Sequence, residues 1–343
     1  MTAQQTFAQA VPSLQDGGPV RLRRQIVSVD GHDVGVATAG SGIPLVFAHG
    51  FGVESMLYAQ TLARTAALGF RVIAIDVAGH GQSDATGWLP NFDGYVQRFS
   101  RTVEVLGIER AIFMGHSMGG RVVCEIVARQ PEHAIALLLL DPIAGAPWDA
   151  IRPWLRWCPP LLGMYGAAAV IDVAGTLPAF VDARQSIKIG LQARGALGNI
   201  FAAPWNGLLA GAAILRAPDT AGILDSIGRA NVPAAVVQGD ADLLVSDATA
   251  RDTSSRLNAT FVRVAKGRHS WMVRDPEALP AIVAELRKGL LGNAVRAAHL
   301  ESLSAEQRWA ACTGVNANNH GREIDVVLPT RRRAPSLAFT IER

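Results

Sequence analysis

Gly115-His116-Ser117-Met118-Gly119-Gly120 stands directly after the apolar run AIFM and directly before a segment of helical spacing. A G-x-S-x-G pentapeptide between strand and helix sets its serine on a sharp turn, with the hydroxyl exposed at the positive end of the helix dipole. Small residues are required there, because Gly115 and Gly119 let neighbouring backbone come close to the serine. A serine hydroxyl is a weak nucleophile at neutral pH and needs an oriented base, normally histidine. Of the eight histidines, His269 is the candidate. It lies in the loop KGRHSW, after the run TFVRVA and before the helical pattern PEALPAIVAEL, where open-sheet enzymes assemble their sites at strand C-termini. His49 and His80 sit inside glycine turns, His116 adjoins the nucleophile and His133 follows a helix end. These four read as packing or loop-fixing residues rather than bases.

The base needs an acid to hold its tautomer and stabilise its charge. Asp242, in GDADLLV after the run AAVVQ, is the first choice; Asp240 two residues away and Asp141 at the end of ALLLLD are rivals. The order Ser117, Asp242, His269 along the chain is one of the known triad orders. An oxyanion formed on attack needs backbone donors. The candidates are the N–H of Met118, the residue after the nucleophile, and that of Phe51 in the loop His49-Gly50-Phe51-Gly52.

The elements that must position these groups follow from hydrophobic patterning. Residues 25–30 (QIVSVD) and 33–40 (DVGVATAG) alternate as a β-hairpin around Gly31-His32. Short apolar runs follow at PLVFA (44–48), RVIAID (71–76), AIFMG (111–115) and ALLLLD (136–141), separated by helix-length segments near 55–68, 92–106 and 117–130. The rhythm resumes at PAAVVQGD (233–240) and TFVRVAKG (260–267), then a helix from about 276 to 290. Continuous apolar strands alternating with helices predict a mostly parallel central sheet covered by helices on both faces, an α/β class. Residues 142–230 hold no convincing strand and carry four of the seven tryptophans, so they read as a helical insertion after the sixth strand. The expected organisation is a flexible lead over 1–23, a core over 24–141, the insertion over 142–230, the second part of the core over 231–292 and an extension over 293–343. In that extension NAVRAAHLESLSAEQRWAAC has a loose helical face, EIDVVLP has the composition of an edge strand and TRRRAP that of a solvated basic patch.

Composition narrows the function. With 49% hydrophobic and 18% charged residues in 343, the chain has ample core and is neither disordered nor collagen-like. The net charge is only +3, and seven arginines against five acids in 293–343 supply two of those charges, so the body carries no nucleic-acid footprint. Three widely spaced cysteines (124, 158, 312) argue against a disulfide framework or zinc site and for a reducing compartment. MTAQQTFAQAVPSLQDGG lacks a signal-peptide pattern, and the most apolar runs are strand-sized, too short to span a membrane. The expectation is a cytoplasmic protein, monomer or homodimer, with no metal, no cofactor and no nucleic-acid partner.

Taken together, the sequence resembles the α/β-hydrolase superfamily over about residues 24–291. The resemblance rests on the elbow GHSMGG, the loop HGFG (49–52), DVAGHGQSD (76–84), GDADLLV (239–245) and GRHSWMVRDPEAL (267–279). Arg268 stands where many relatives place glycine. The resemblance implies a cap domain at 142–230, and Ser117 in place of an elbow aspartate argues against haloalkane dehalogenases and epoxide hydrolases. It implies a serine hydrolase cleaving a small to medium apolar carboxylic ester. Carbon–carbon hydrolases, thioesterases, cofactor-free perhydrolases and a receptor with negligible turnover are the alternatives. His116, Trp148, Trp154 and Trp205 are the expected substrate-lining residues, since ligand pockets are mostly apolar.

Overall fold

The computed structural model describes residues 20–87, 91–176, 204–302 and 337–342. Nine strands form one sheet: β1 (Arg23–Val29), β2 (His32–Ala39), β3 (Ile43–Ala48), β4 (Phe70–Ile75), β5 (Ala111–His116), β6 (Ala134–Leu140), β7 (Ala234–Gly239), β8 (Thr260–Val264) and β9 (Phe339–Glu342). Their spatial order is β1-β2-β4-β3-β5-β6-β7-β8-β9. From β4 through β8 all neighbours are parallel; the hairpin β1–β2 joins β4 antiparallel, and β9 closes the other edge antiparallel to β8. The strand at this edge is therefore the four residues FTIE; the segment EIDVVLP lies outside the described residues.

Helices cover both faces. After a 3-10 turn at Ser55–Tyr58 come α1 (Ala59–Ala66), α2 (Phe92–Val105) and α3 (Met118–Arg129). Among the described residues, four helices lie between β6 and β7: α4 (Ala146–Trp157), α5 (Pro159–Thr176), α6 (Pro204–Arg216) and α7 (Ala221–Arg229). Then follow α8 (Asp247–Arg256), the single turn α9 (Trp271–Arg274), α10 (Ala278–Arg287) and α11 (Leu290–Ser302). The apolar strands bury side chains on both faces by their period of two. Val46, Phe113, Leu137 and Val236 pack toward α2, α3 and α7. Phe47, Met114, Leu138 and Val237 pack toward α1 and α10.

The helical segment is tied to the core where it leaves and returns. Gly145 N–H donates to Thr220 Oγ1 at 2.7 Å, Ala146 N–H to Asp252 Oδ2 at 2.7 Å and Thr220 N–H to Asp149 Oδ2 at 2.7 Å. Arg121 of α3 and Arg152 of α4 both donate to the Pro218 carbonyl. Beyond its root the segment is apolar outward: Trp154, Trp157, Met164, Val170, Trp205 and Leu208 are exposed. No single helix among the described residues is long and apolar enough to cross a membrane.

Candidate active site

Ser117 occupies the joint between β5 and α3 with φ 54° and ψ −116°. That left-handed conformation is strained for a residue with a Cβ, on the order of 1–3 kcal/mol, and persists because its surroundings over-determine it. Ser117 N–H donates to the Leu140 carbonyl at 2.9 Å, and the Ser117 carbonyl accepts from Arg121 and Ile143 at 3.3 Å each. A Cβ on Gly115 would strike the Gly119 carbonyl, and one on Gly119 the carbonyls of Ala48 and His49. These glycines let α3 press its first turn onto the end of β3. Met118, the first residue of α3, has an N–H that no carbonyl of its own helix can accept. Phe51 lies in the loop after β3, its ring 45% exposed and resting against Gly211 of α6 and the edge of His80.

The loop after β8 carries His269, which is buried, and the loop after β7 carries Asp242. His269 Nδ1–H donates to Asp242 Oδ2 at 2.8 Å. Asp242 is itself fixed: its Oδ1 accepts the N–H groups of Leu244 (2.7 Å) and Val245 (3.0 Å), and its Oδ2 also meets Gln238 Nε2 at 3.3 Å. Burial opposes charge on both partners, yet each is shifted toward its charged form without the imidazole losing its role as an acceptor at neutral pH. The imidazole is held above its ordinary range by Asp242 and by the more distant Asp172. Burial also works against the Asp242 carboxylate, but His269 and the two backbone donors hold its carboxyl below the usual range. With Nδ1 protonated by this bond, Nε2 keeps its lone pair and can accept a proton.

The rival acids take other places. Asp240 accepts from Lys266 N–H at 2.6 Å in an exposed turn. Asp141, fully buried at φ 45°, accepts from Gly239 N–H at 2.8 Å and from Trp271 Nε1–H at 2.7 Å. Burial and the neighbouring Asp242 charge push its carboxyl well above the usual range, which favours its protonated form beside the Asp242 carboxylate. Ligand atoms of Asp141, Asp242 and His269 all lie within 4.8 Å of one another. The carboxylate oxygens there face N–H donors and His269 Nδ1 faces Asp242, a donor set suited to a triad rather than to a cation.

His116 departs from its expected place on the substrate wall. The side chain is 3% exposed, and both ring nitrogens are bonded inside the protein. Nε2 faces the His269 carbonyl at 2.9 Å, which can only accept, so Nε2 carries the proton and Nδ1 accepts from Tyr58 O–H at 2.8 Å. Burial and the nearby His269 push His116 down to about 3, so it stays neutral. Of the three tryptophans, Trp148 is buried and packs on Tyr165, whereas Trp154 and Trp205 are each 67% exposed. His49 and His80 fix loops: His49 Nδ1 donates to the Gly50 carbonyl at 2.8 Å while its Nε2 accepts from Val77 N–H, in the loop after β4, at 2.9 Å, and His80 Nδ1 donates to the Ala78 carbonyl at 3.0 Å.

Two residues at the site were not anticipated. Tyr58 supports His116, and Asp172 of α5 accepts the backbone N–H of His269 at 2.8 Å and of Ser270 at 3.2 Å. A signal for Asp172 exists in hindsight: it is the lone acid in the otherwise uncharged helix PPLLGMYGAAAVIDVAGT, and a buried carboxylate needs partners.

Sequence and structure comparisons identify the family. The family described as serine aminopeptidase S33 matches residues 44–277. A putative non-heme haloperoxidase of Mycobacterium phage D29 is 35% identical over 274 residues, covering 76% of this chain and 92% of that protein. A non-heme chloroperoxidase of Streptomyces lividans is 26% identical, over 69% of this chain and 89% of its own. Among solved structures, an esterase from Rhodococcus sp. ECU1013 superposes with TM-score 0.60 at 22% identity, over 78% of this chain and 99% of that one. The chain belongs to the S33 family of the α/β-hydrolase superfamily and is an α/β-hydrolase enzyme.

Proposed function

We propose that the protein is a serine hydrolase acting on a small to medium apolar carboxylic ester. The observation that carries this reading is the 2.8 Å bond from His269 Nδ1 to a fixed Asp242 carboxylate, with Ser117 strained at the C-terminal end of β5. Ser117 Oγ attacks the ester carbonyl as His269 Nε2 takes its proton, and the oxyanion is held by the Met118 and Phe51 N–H groups. The tetrahedral intermediate expels the alkoxide, which leaves as alcohol with the proton returned by His269. Water, activated by His269, then attacks the acyl-enzyme to release the acid and restore Ser117. In this reading the 142–230 segment is a cap, and its apolar residues with Phe51 supply the acyl-binding wall. The free thiols of Cys124 and Cys158 support a reducing, cytoplasmic setting.

Hydrolysis of p-nitrophenyl esters from acetate to palmitate tests the reading. We expect a clear chain-length optimum, and loss of that activity in Ser117→Ala; no turnover above the variant on any ester would reject it. The names of the relatives from phage D29 and S. lividans favour a second reading, perhydrolysis. There hydrogen peroxide replaces water in attack on the acyl-enzyme and releases a peracid. Ser117-dependent peracid formation from acetate and peroxide, outpacing ester hydrolysis, would select it.

A further inference from the structure

The backbone of His269 is held at both ends by side chains remote in sequence. Its carbonyl accepts from His116 Nε2, and its N–H donates to Asp172 Oδ1 at 2.8 Å, while Asp172 Oδ2 takes the next N–H, that of Ser270, at 3.2 Å. A third bond runs the other way, from Arg268 Nη1 to the Ile171 carbonyl at 3.1 Å. Asp172 is 1% exposed and belongs to α5, in the helical segment between β6 and β7. An ionised carboxylate in so apolar a helix is costly unless it is hydrogen-bonded. Its two oxygens accept the two N–H groups of the loop that carries the imidazole. Where that imidazole sits relative to Ser117 depends on the backbone at 269, and displacements well under an ångström matter to proton transfer.

We propose that Asp172 is a positioning residue for His269, tying the helical segment to the base so that the imidazole is in register with Ser117 only while α5 is seated on the loop. This rests on His269 being the base. The groups facing His269 are Asp242 after β7, Asp141 after β6 with its carboxyl pushed up, Asp172 on α5 and neutral His116 on β5. Tyr58 stands behind His116, and the Tyr165 phenol lies within electrostatic reach of Asp242.

The test compares Asp172→Ala and Asp172→Asn with wild type in kcat, KM, pH profile and fluorophosphonate labelling of Ser117. Losing a charge-assisted bond to the His269 backbone should lower kcat on the order of tenfold in Asp172→Ala while KM moves less than about twofold. Asp172→Asn keeps one acceptor and should fall between. A negative charge near the imidazole is lost in both, so neutral imidazole persists to lower pH and the acidic limb of kcat/KM should move to lower pH. Wild-type kcat with an unmoved limb in both variants overturns the proposal, as does a fall in kcat and melting temperature with an unmoved limb. Labelling separates the two layers of the argument. An unlabelled wild type sinks the Ser117–His269 reading and this proposal with it, whereas labelling equally fast in wild type and Asp172→Ala sinks the proposal alone. Should the alanine variant not fold, the asparagine variant supplies every readout.

Discussion

Asp141 and Asp242 lie side by side near His269, and their roles are separated by what donates to them. Asp242 collects two backbone N–H groups and the imidazole, which hold its carboxyl below the usual range; Asp141, fully buried with only the Gly239 and Trp271 N–H groups on it and the Asp242 charge beside it, is pushed well above that range. Asparagine matches the shape of an aspartic acid and tolerates the left-handed backbone found at 141, giving up only one of the two bonds that the carboxyl accepts from Gly239 and Trp271. Asp141→Asn should therefore retain kcat/KM within about tenfold, while Asp242→Asn should cost on the order of 10³–10⁴ in kcat by fixing the wrong imidazole tautomer. Ester hydrolysis by the two variants, side by side, decides the assignment. The upward shift at Asp141 also affects stability. Because the folded carboxyl titrates well above its ordinary 3.8, the unfolded chain loses this proton first as pH rises. Wild type should thus lose stability relative to Asp141→Asn as pH climbs from about 4 toward neutrality, read as the shift of urea midpoints.

At the scale of elements, the site depends on α3 closing onto β3. A methyl at Gly119 has nowhere to go, since the Ala48 and His49 carbonyls occupy its space and backbone cannot yield as a side chain can. Gly119→Ala should destabilise the fold by about 1–3 kcal/mol and move Ser117 out of line, measured as a lower melting temperature with slower fluorophosphonate labelling. The elbow, the histidine loop and the parallel strands were legible in the sequence because each is written locally, in a pentapeptide or in an apolar run of strand length. The choice of acid, Asp242 ahead of Asp141 and Asp240, rested on position along the chain alone, because Asp141 and Asp242 both follow strand ends. What separates them is the turn that aims the Leu244 and Val245 N–H groups at one carboxylate. The direction of His116 was readable and overlooked: it shares the strand face of Ile112 and Met114, which look toward α1 and Tyr58. β9 was beyond reach, being four residues whose pairing depends on the open edge of β8, about 75 residues earlier.

Across the whole molecule, β9 joins the end of the chain to the sheet edge nearest the site. Leu337 is buried against the α10 face, its N–H donates to Asp275 Oδ2 at 3.0 Å, and Glu342 pairs with Arg251 and Arg263. Burial of one leucine is worth about 1.5–3 kcal/mol and exposed ion pairs little, so deleting 337–343 should lower the melting temperature by roughly 3–10 °C. Calorimetry on the shortened chain, with esterase activity retained at low temperature, would check it. The hydrogen bonds from Asp172 to the histidine loop have a different reach. A stretch between β6 and β7 that carried selectivity alone could be exchanged between relatives as a cassette without touching the chemistry. In this protein the cassette carries a group bonded to the backbone of His269, so a chimera with a foreign stretch would inherit a new turnover rate together with its new preference. Drift in α5 can reshape its outward apolar surface freely, but a lineage that loses the carboxylate at 172 must find another acceptor for two buried N–H groups before its new preference is of use.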